Sequence, residues 1–227
     1  MTISMRTLPA PFARAATLDT TRFYMGGLMS FLTTGTETDG GLALMEYQGK
    51  PGNEPPPHIH LWENEIVYVL DGIMEMYCGD AVMLLHPGEM AFIPRGQPHA
   101  FYIRSAQFRA LAIVQSIGEQ PVGLDAYFMQ MSSPATSMTL PMDPVTYQME
   151  DPAHAVAIAA AHGMQILSPD EAAIALPRYP GFGNADRAPL DAANLPDAVA
   201  RPVRNQSMAV FGAVAGLWPL AAIDSTS

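Results

Sequence analysis

Between residues 22 and 114 the apolar positions come in short runs, cut at close intervals by Gly, Pro and Asp. The runs at 23–34, 42–48, 65–70, 73–77, 82–85, 90–93, 99–104 and 108–115 are rich in aromatic, β-branched, Met and Leu residues and read as strands. Gly35, Gly40-Gly41, Pro51-Gly52, Asp71-Gly72, Gly79-Asp80, Pro87-Gly88 and Arg95-Gly96 punctuate them. Asp71-Gly72 and Gly79-Asp80 are expected to close tight hairpins, because Gly and Asp tolerate positive φ. Many short strands with almost no helical periodicity predict an all-β barrel or sandwich.

The pattern changes after residue 116. Asp151 followed by Pro152 has the form of an N-cap and first helical residue; an Ala-rich run continues to His162, and Gly163 stands where a C-terminal cap belongs. Ser168 and Glu171 are spaced as a capping box, and 124–131 reads as a further short helix. Beyond Pro177 the composition turns to Pro, Gly, Ala and Asp, which predicts extended chain. The expected organisation is an N-terminal arm (1–20), a barrel (21–116) and a C-terminal helical and extended segment (117–227) that packs on the barrel or on a partner subunit.

Composition narrows the function classes. The 227 residues are 49% hydrophobic and 15% charged, a folded profile. Eleven Lys+Arg against 22 Asp+Glu leave a net charge of -11, and Lys50 is the only lysine, so neither nucleic acid nor an anionic membrane surface is an expected partner. Cys78 stands alone, which excludes an internal disulfide and a multi-cysteine zinc module. The stretch after Arg6 is interrupted by Pro and lacks the apolar core of a secretory signal, so a cytoplasmic location is expected. Residues 207–223 are uncharged but shorter than the ~20 needed to span a bilayer, and they contain Pro219. That tail is expected to pack on the domain or on a second copy, with 211–220 as a homodimer interface.

Chemistry concentrates in two Gly- and Pro-marked segments. His58 and His60 are two apart on a strand and share a face. A turn through residues 61–64 returns Glu65 toward them, and His99 opens a later strand. Three imidazoles and a carboxylate, if the fold gathers them, suit one divalent transition metal: Fe, Mn, Ni, Co, Cu or Zn. Four protein ligands would leave coordination positions open on such an ion. Glu63 is placed in the connecting turn as a solvated residue, Tyr68 on the outer face, and His86, His154 and His162 on the surface. The 16 methionines read as adaptable core filler. Alternation with the ligands names Val67, Val69, Phe101 and Ile103 as apolar pocket walls, which suit an aromatic or apolar substrate better than a sugar.

The spacing from Gly52 through His58, His60 and Glu65 to Gly72 resembles the first cupin motif, and Gly88, Pro94, Gly96 and His99 resemble the second. Ile103 departs from the Asn that often ends the second motif, a position outside the ligand set. The opening stretch from Phe23 to Gly35, Thr38-Asp-Gly-Gly-Leu42, Pro55-Pro-Pro-His58 and Ala159-Ala-Ala-His-Gly163 are similar to bacterial quercetin 2,3-dioxygenase-like monocupins. The resemblance implies a cupin double-stranded β-helix (jelly-roll barrel) with a C-terminal helical extension, commonly homodimeric. It implies one metal held by His58, His60 and His99, with Glu65 as fourth ligand or as the catalytic base, its pKa raised by burial if it leaves the metal. The implied reaction is O2-dependent cleavage of a C–C bond in an enolisable aromatic, flavonol-like substrate. A Lewis-acid isomerase, hydrolase or lyase, and a non-catalytic small-molecule binder, are the alternatives.

Overall fold

A computed structural model describes residues 10–142 and 151–182. The expectations for the first residues of the arm and for the apolar tail at 207–223 lie outside the described residues. Ten strands run from the N-terminus: β1 (Thr21–Tyr24), β2 (Gly27–Thr33), β3 (Leu42–Gly49), β4 (His58–His60), β5 (Glu63–Asp71), β6 (Met74–Cys78), β7 (Ala81–Leu85), β8 (Met90–Ile93), β9 (Pro98–Ile103) and β10 (Phe108–Ser116). They are followed by α1 (Leu124–Met131), β11 (Ser133–Pro134), α2 (Pro152–Ala161), β12 (Met164–Ile166) and α3 (Pro169–Ala175).

The strands form a seven-stranded sheet, ordered β11-β1-β2-β3-β10-β5-β8, and a five-stranded sheet, ordered β12-β4-β9-β6-β7. Pairing is antiparallel throughout, as in a jelly roll. The inner faces of both sheets meet in one apolar cluster that includes Met45, Val69, Met74, Met76 and Val114. Strict alternation drives this. In β5, Glu63, Glu65, Val67 and Val69 are buried, while the residues between them are half-buried or exposed. Tyr68 is on the outer face, as its position in that alternation predicts.

Two turns differ from expectation. The run at 23–34 is two strands, because Met25 and Gly26 adopt φ of 46° and 82° and reverse the chain so that Tyr24 pairs with Gly27. An apolar Met at the turn hides it; the Gly26-Gly27 pair was the available signal. Gly79-Asp80 closes a two-residue hairpin, with Cys78 opposite Ala81. Asp71-Gly72 does not: β5 pairs with β10 and β8, and β6 with β7 and β9, so this dipeptide is the corner at which the chain changes sheets. Gly72 needs its φ of +82° there, and a Cβ would strike the Gln107 carbonyl and the Ser105 hydroxyl.

The C-terminal segment is built into both sheets. β11 extends the large sheet beyond β1, and β12 extends the small sheet beyond β4. Both expected caps form: the Asp151 side chain accepts from the His154 amide, and Ser168 and Glu171 make the reciprocal capping box. On the outer face of the small sheet, Tyr77, Val82, Ala100 and Tyr102 are covered by Leu176 and Tyr179. The Tyr179 ring lies 5.2 Å from that of Tyr102 and 5.3 Å from that of Tyr77.

Leu176 is fully buried at this lid on the small sheet. Leu176→Ala is expected to destabilise the fold by about 2–5 kcal/mol, the range for a core Leu→Ala cavity. Urea unfolding followed by circular dichroism checks this. A loss under 1 kcal/mol would mean that the segment does not pack there.

Candidate metal centre

The ligand strands are positioned by backbone pairing. β4 lies between β9 and β12, with His58 opposite His99 and Met164 opposite His60. The chain then turns at Leu61-Trp62 into the other sheet. The Leu61 amide donates to the Gly163 carbonyl at 2.7 Å. Gly163, at φ +72°, lets the Trp62 ring pack where a Cβ would otherwise sit. Glu65 therefore enters from the large sheet while the three histidines come from the small one.

The imidazoles are oriented through their Nδ1 atoms. His58 Nδ1 lies 2.9 Å from the Pro56 carbonyl oxygen, and His99 Nδ1 lies 3.1 Å from that of Gln97. Both histidines directly follow a proline, Pro57 and Pro98. The fixed φ of that proline and the extended residue before it bring the carbonyl two residues back within reach of the ring. His60 has no such proline and uses a side chain: its Nδ1 lies 2.8 Å from Glu63 Oε1. With each Nδ1 donating, each Nε2 turns a lone pair elsewhere.

One ligand atom from each of His58, His60, Glu65 and His99 falls within 4.8 Å of the others, so the group could hold a metal ion. Glu65 Oε2 lies 3.1 Å from His99 Nε2 and 3.4 Å from His60 Nε2. Yet both Nε2 atoms are buried without a directional hydrogen bond. Lone pairs facing an anionic carboxylate in a dry site call for a proton or a cation between them, and three nitrogens with one oxygen are a donor set for a first-row divalent ion.

The charges are tuned accordingly. Burial, with His99 and His60 beside it, holds His58 well below 6.5 and so neutral. Burial would also lower His60, but the hydrogen bond to Glu63 and the Glu65 carboxylate beside it outweigh burial and push the pKa up to about 9. Burial would raise Glu65, as expected from sequence, but the His60 and His99 imidazoles close beside its carboxylate hold it well below the ordinary 4.5. The rise expected for Glu65 is thus reversed by its two imidazole neighbours. A cation would find Glu65 anionic and His58 neutral, and would take the place of the His60 proton.

Glu63 is the main correction. It is buried in β5, not solvated in a turn, because it lies two residues from Glu65 and shares the inner face. The same alternation that placed Glu65 would have located it. The structure also separates the four expected wall residues. Val67 and Phe101 line the cavity beside the ligands, whereas Val69 and Ile103 are buried in the apolar core away from it. Ile103 instead serves through its backbone: its amide donates to Glu54 Oε1 at 2.8 Å, while Glu54 Oε2 accepts from Gly52. That buried carboxylate ties the loop before β4 to β9.

The cavity measures about 50 Å³ and is lined by His58, Glu65 and His99 together with Met74, Met76 and Phe128. A second lobe of about 20 Å³ lies under α1 and α2 and shares Tyr24, Pro55, His58, Leu124 and Phe128 with the first. Tyr24 and Tyr127 hydroxyls bond each other at 2.9 Å where the lobes meet. Sequence alone gave no sign of that pair, since Tyr127 arrives on α1. His154 is exposed, whereas His162 caps α2 and bonds Gln130 at 2.8 Å. His86 is half-buried and outside the ligand cluster.

Among known proteins, residues 45–114 match the cupin domain family, and the two-sheet jelly roll built around them fits that match. A quercetin 2,3-dioxygenase of Bacillus subtilis (strain 168) is 22% identical over 107 residues, 47% of this chain and 30% of that enzyme. The chain thus matches less than a third of that relative's length. Among solved structures, a predicted oxalate decarboxylase from Thermotoga maritima is 20% identical, with a TM-score of 0.42 over 47% of this chain and 100% of the other. An RmlC-like cupin from Shewanella frigidimarina is 17% identical, with a TM-score of 0.36 over 42% and 80%. The nucleoside dehydratase Pac13 is 12% identical, with a TM-score of 0.39 over 46% and 83%. No helix among the described residues is long and apolar enough to cross a membrane.

His99→Ala is expected to weaken binding of cobalt(II) by more than the ~10–100-fold that outer hydrogen-bond partners of metal ligands carry. Absorbance titration with cobalt(II) reads this directly. Equal affinity in the wild type and the variant would remove His99 from the ligand set.

Proposed function

We propose that this cupin domain is a metal-dependent dioxygenase that uses O2 to cleave a C–C bond in an enolisable aromatic, flavonol-like substrate. The observation that carries the reading is the convergence of four potential ligands, three of which (His58, Glu65 and His99) line an apolar cavity. The dioxygenase relative supports the reaction class through the matched segment alone.

His58, His60, His99 and Glu65 would hold a divalent transition ion, which would supply Lewis acidity to the site. The protein's own groups supply the rest. Glu65, kept anionic by His60 and His99, is the group placed to accept the acidic proton of an enolic hydroxyl. Val67, Met74, Met76 and Phe101 keep the cavity apolar, which excludes water and strengthens the charge interactions inside. The Tyr47 hydroxyl donates to the Asn53 carbonyl, and the Asn53 amide to the Met25 carbonyl. Tyr24 and Tyr127 share one hydrogen bond between two hydroxyls, which leaves one O–H to orient a substrate oxygen.

A second reading has its own observation. A cavity of about 50 Å³ holds a few waters or a small ligand, whereas pockets for drug-sized ligands measure roughly 300–1,000 Å³. Without widening, the site favours a smaller substrate and a Lewis-acid isomerase, hydrolase or lyase that needs no O2.

The two readings separate in an oxygen electrode. With metal-loaded protein, 3-hydroxyflavone is expected to draw equimolar O2, and Glu65→Gln to slow uptake by about 10²–10⁴-fold, the usual worth of a general base. Oxygen uptake absent across a panel of enolisable compounds, together with turnover of any of them under nitrogen, would replace the first reading with the second. Tyr24→Phe is expected to raise KM more than it lowers kcat, with about a 1 kcal/mol loss for one neutral hydrogen bond; an unchanged KM would take Tyr24 out of the substrate site.

A further inference from the structure

We propose that Glu63 couples occupancy of the metal centre to the seating of helix α1 across the cavity, and so acts as a positioning residue for the metal-dependent reading above, on which this inference rests. Its carboxylate is 1% exposed and serves three donors from two elements. Oε1 accepts from His60 Nδ1 at 2.8 Å and from the Leu124 amide at 3.2 Å; Oε2 accepts from the Gly123 amide at 2.7 Å.

Gly123 is the N-cap of α1 and Leu124 its first residue, and Gly123 has no side chain with which to cap the helix. An anion from another strand does that work, where free amides and the positive end of the helix dipole favour it. The same anion fixes the ring whose other nitrogen belongs to the metal cluster. A glycine is required at 123, since a Cβ there would collide with the His162 carbonyl at the end of α2.

Helix α1 is a wall of the site. Leu124 and Phe128 line the main cavity, Tyr127 bonds Tyr24 between the lobes, and Asp125 accepts from the Gly35 amide at 2.8 Å. The path from cluster to wall is therefore one side chain long. A cation on His60 Nε2 polarises the ring, strengthens the Nδ1–H bond to Glu63 and holds that carboxylate against the two helix amides. Without it the ring loses its inner restraint, and the carboxylate its fixed orientation. By linkage, a well-seated helix favours cation binding by the same factor.

The test uses the full chain and zinc(II) as the probe. In wild type, zinc is expected to slow hydrogen–deuterium exchange of the α1 amides by about fivefold or more, while the β7 strand is unaffected. Glu63→Gln keeps the shape but sets an NH2 against a donor in either orientation: against the Gly123 amide it breaks the tie to α1, and against His60 Nδ1 it drives the ring proton to Nε2, where a cation must bind. This variant should bind zinc about 10–100-fold more weakly and show no zinc-dependent slowing of α1 even at saturation. A merely structural Glu63 would loosen α1 equally with and without zinc and leave the increment intact, which overturns the proposal. Zinc that binds wild type without slowing α1 overturns the coupling but not the metal centre. Wild type that binds no zinc overturns the metal centre and the coupling together. The wild-type measurement decides even if the variant does not fold.

Discussion

The ladder between β4 and β9 sets His58 opposite His99, and the corner at Leu61-Trp62 brings Glu65 back from the other sheet to the same point. Burying three imidazoles and a carboxylate together costs several kcal/mol per charge unless every polar atom finds a partner. The barrel meets that constraint locally. Two proline-directed carbonyls and one buried glutamate take the three Nδ1 atoms, which leaves the Nε2 atoms and Glu65 for a cation. The remaining walls are then free to be apolar.

The C-terminal segment is part of that arrangement. Without β12, the ligand strand β4 would be the edge of the small sheet, open to fraying and to mispairing. With β12 in place, β4 has backbone partners on both sides, and Gly163 and Trp62 lock the corner that follows. Helix α1 closes the cavity from the other direction and is held by a residue adjacent to the ligand set. Barrel and extension thus both contribute walls to the cavity, with Leu124 and Phe128 from α1 lining it beside strand residues.

Much of this was legible in the chain. Short apolar runs cut by Gly, Pro and Asp located the strands, and alternation along them placed Glu65 and Val67 on one face, because successive side chains on a strand point to opposite sides. Capping residues marked the starts of α2 and α3, because their side chains satisfy amides that every helix leaves unpaired. Less legible were Asp71-Gly72, whose local conformation suits a hairpin or a corner equally, and β11 and β12, which are too short to carry a periodic signal. Glu63 was misplaced for a different reason: an acidic residue next to a turn is normally solvated, and only its three buried donors make the inner face affordable.

The strand pattern, the spacing of His58, His60, Glu65 and His99, and the kind of ion such donors accept can be read from the linear chain, since they follow from local backbone preferences and from ligand chemistry. Which strands share a sheet, that Glu63 orients His60 and caps α1, that Val69 and Ile103 belong to the core, and that Tyr24 meets Tyr127 emerge from the folded arrangement alone. Those outcomes depend on contacts between residues distant along the chain, whose energies exist only once both sheets and the helices have closed around the same interior.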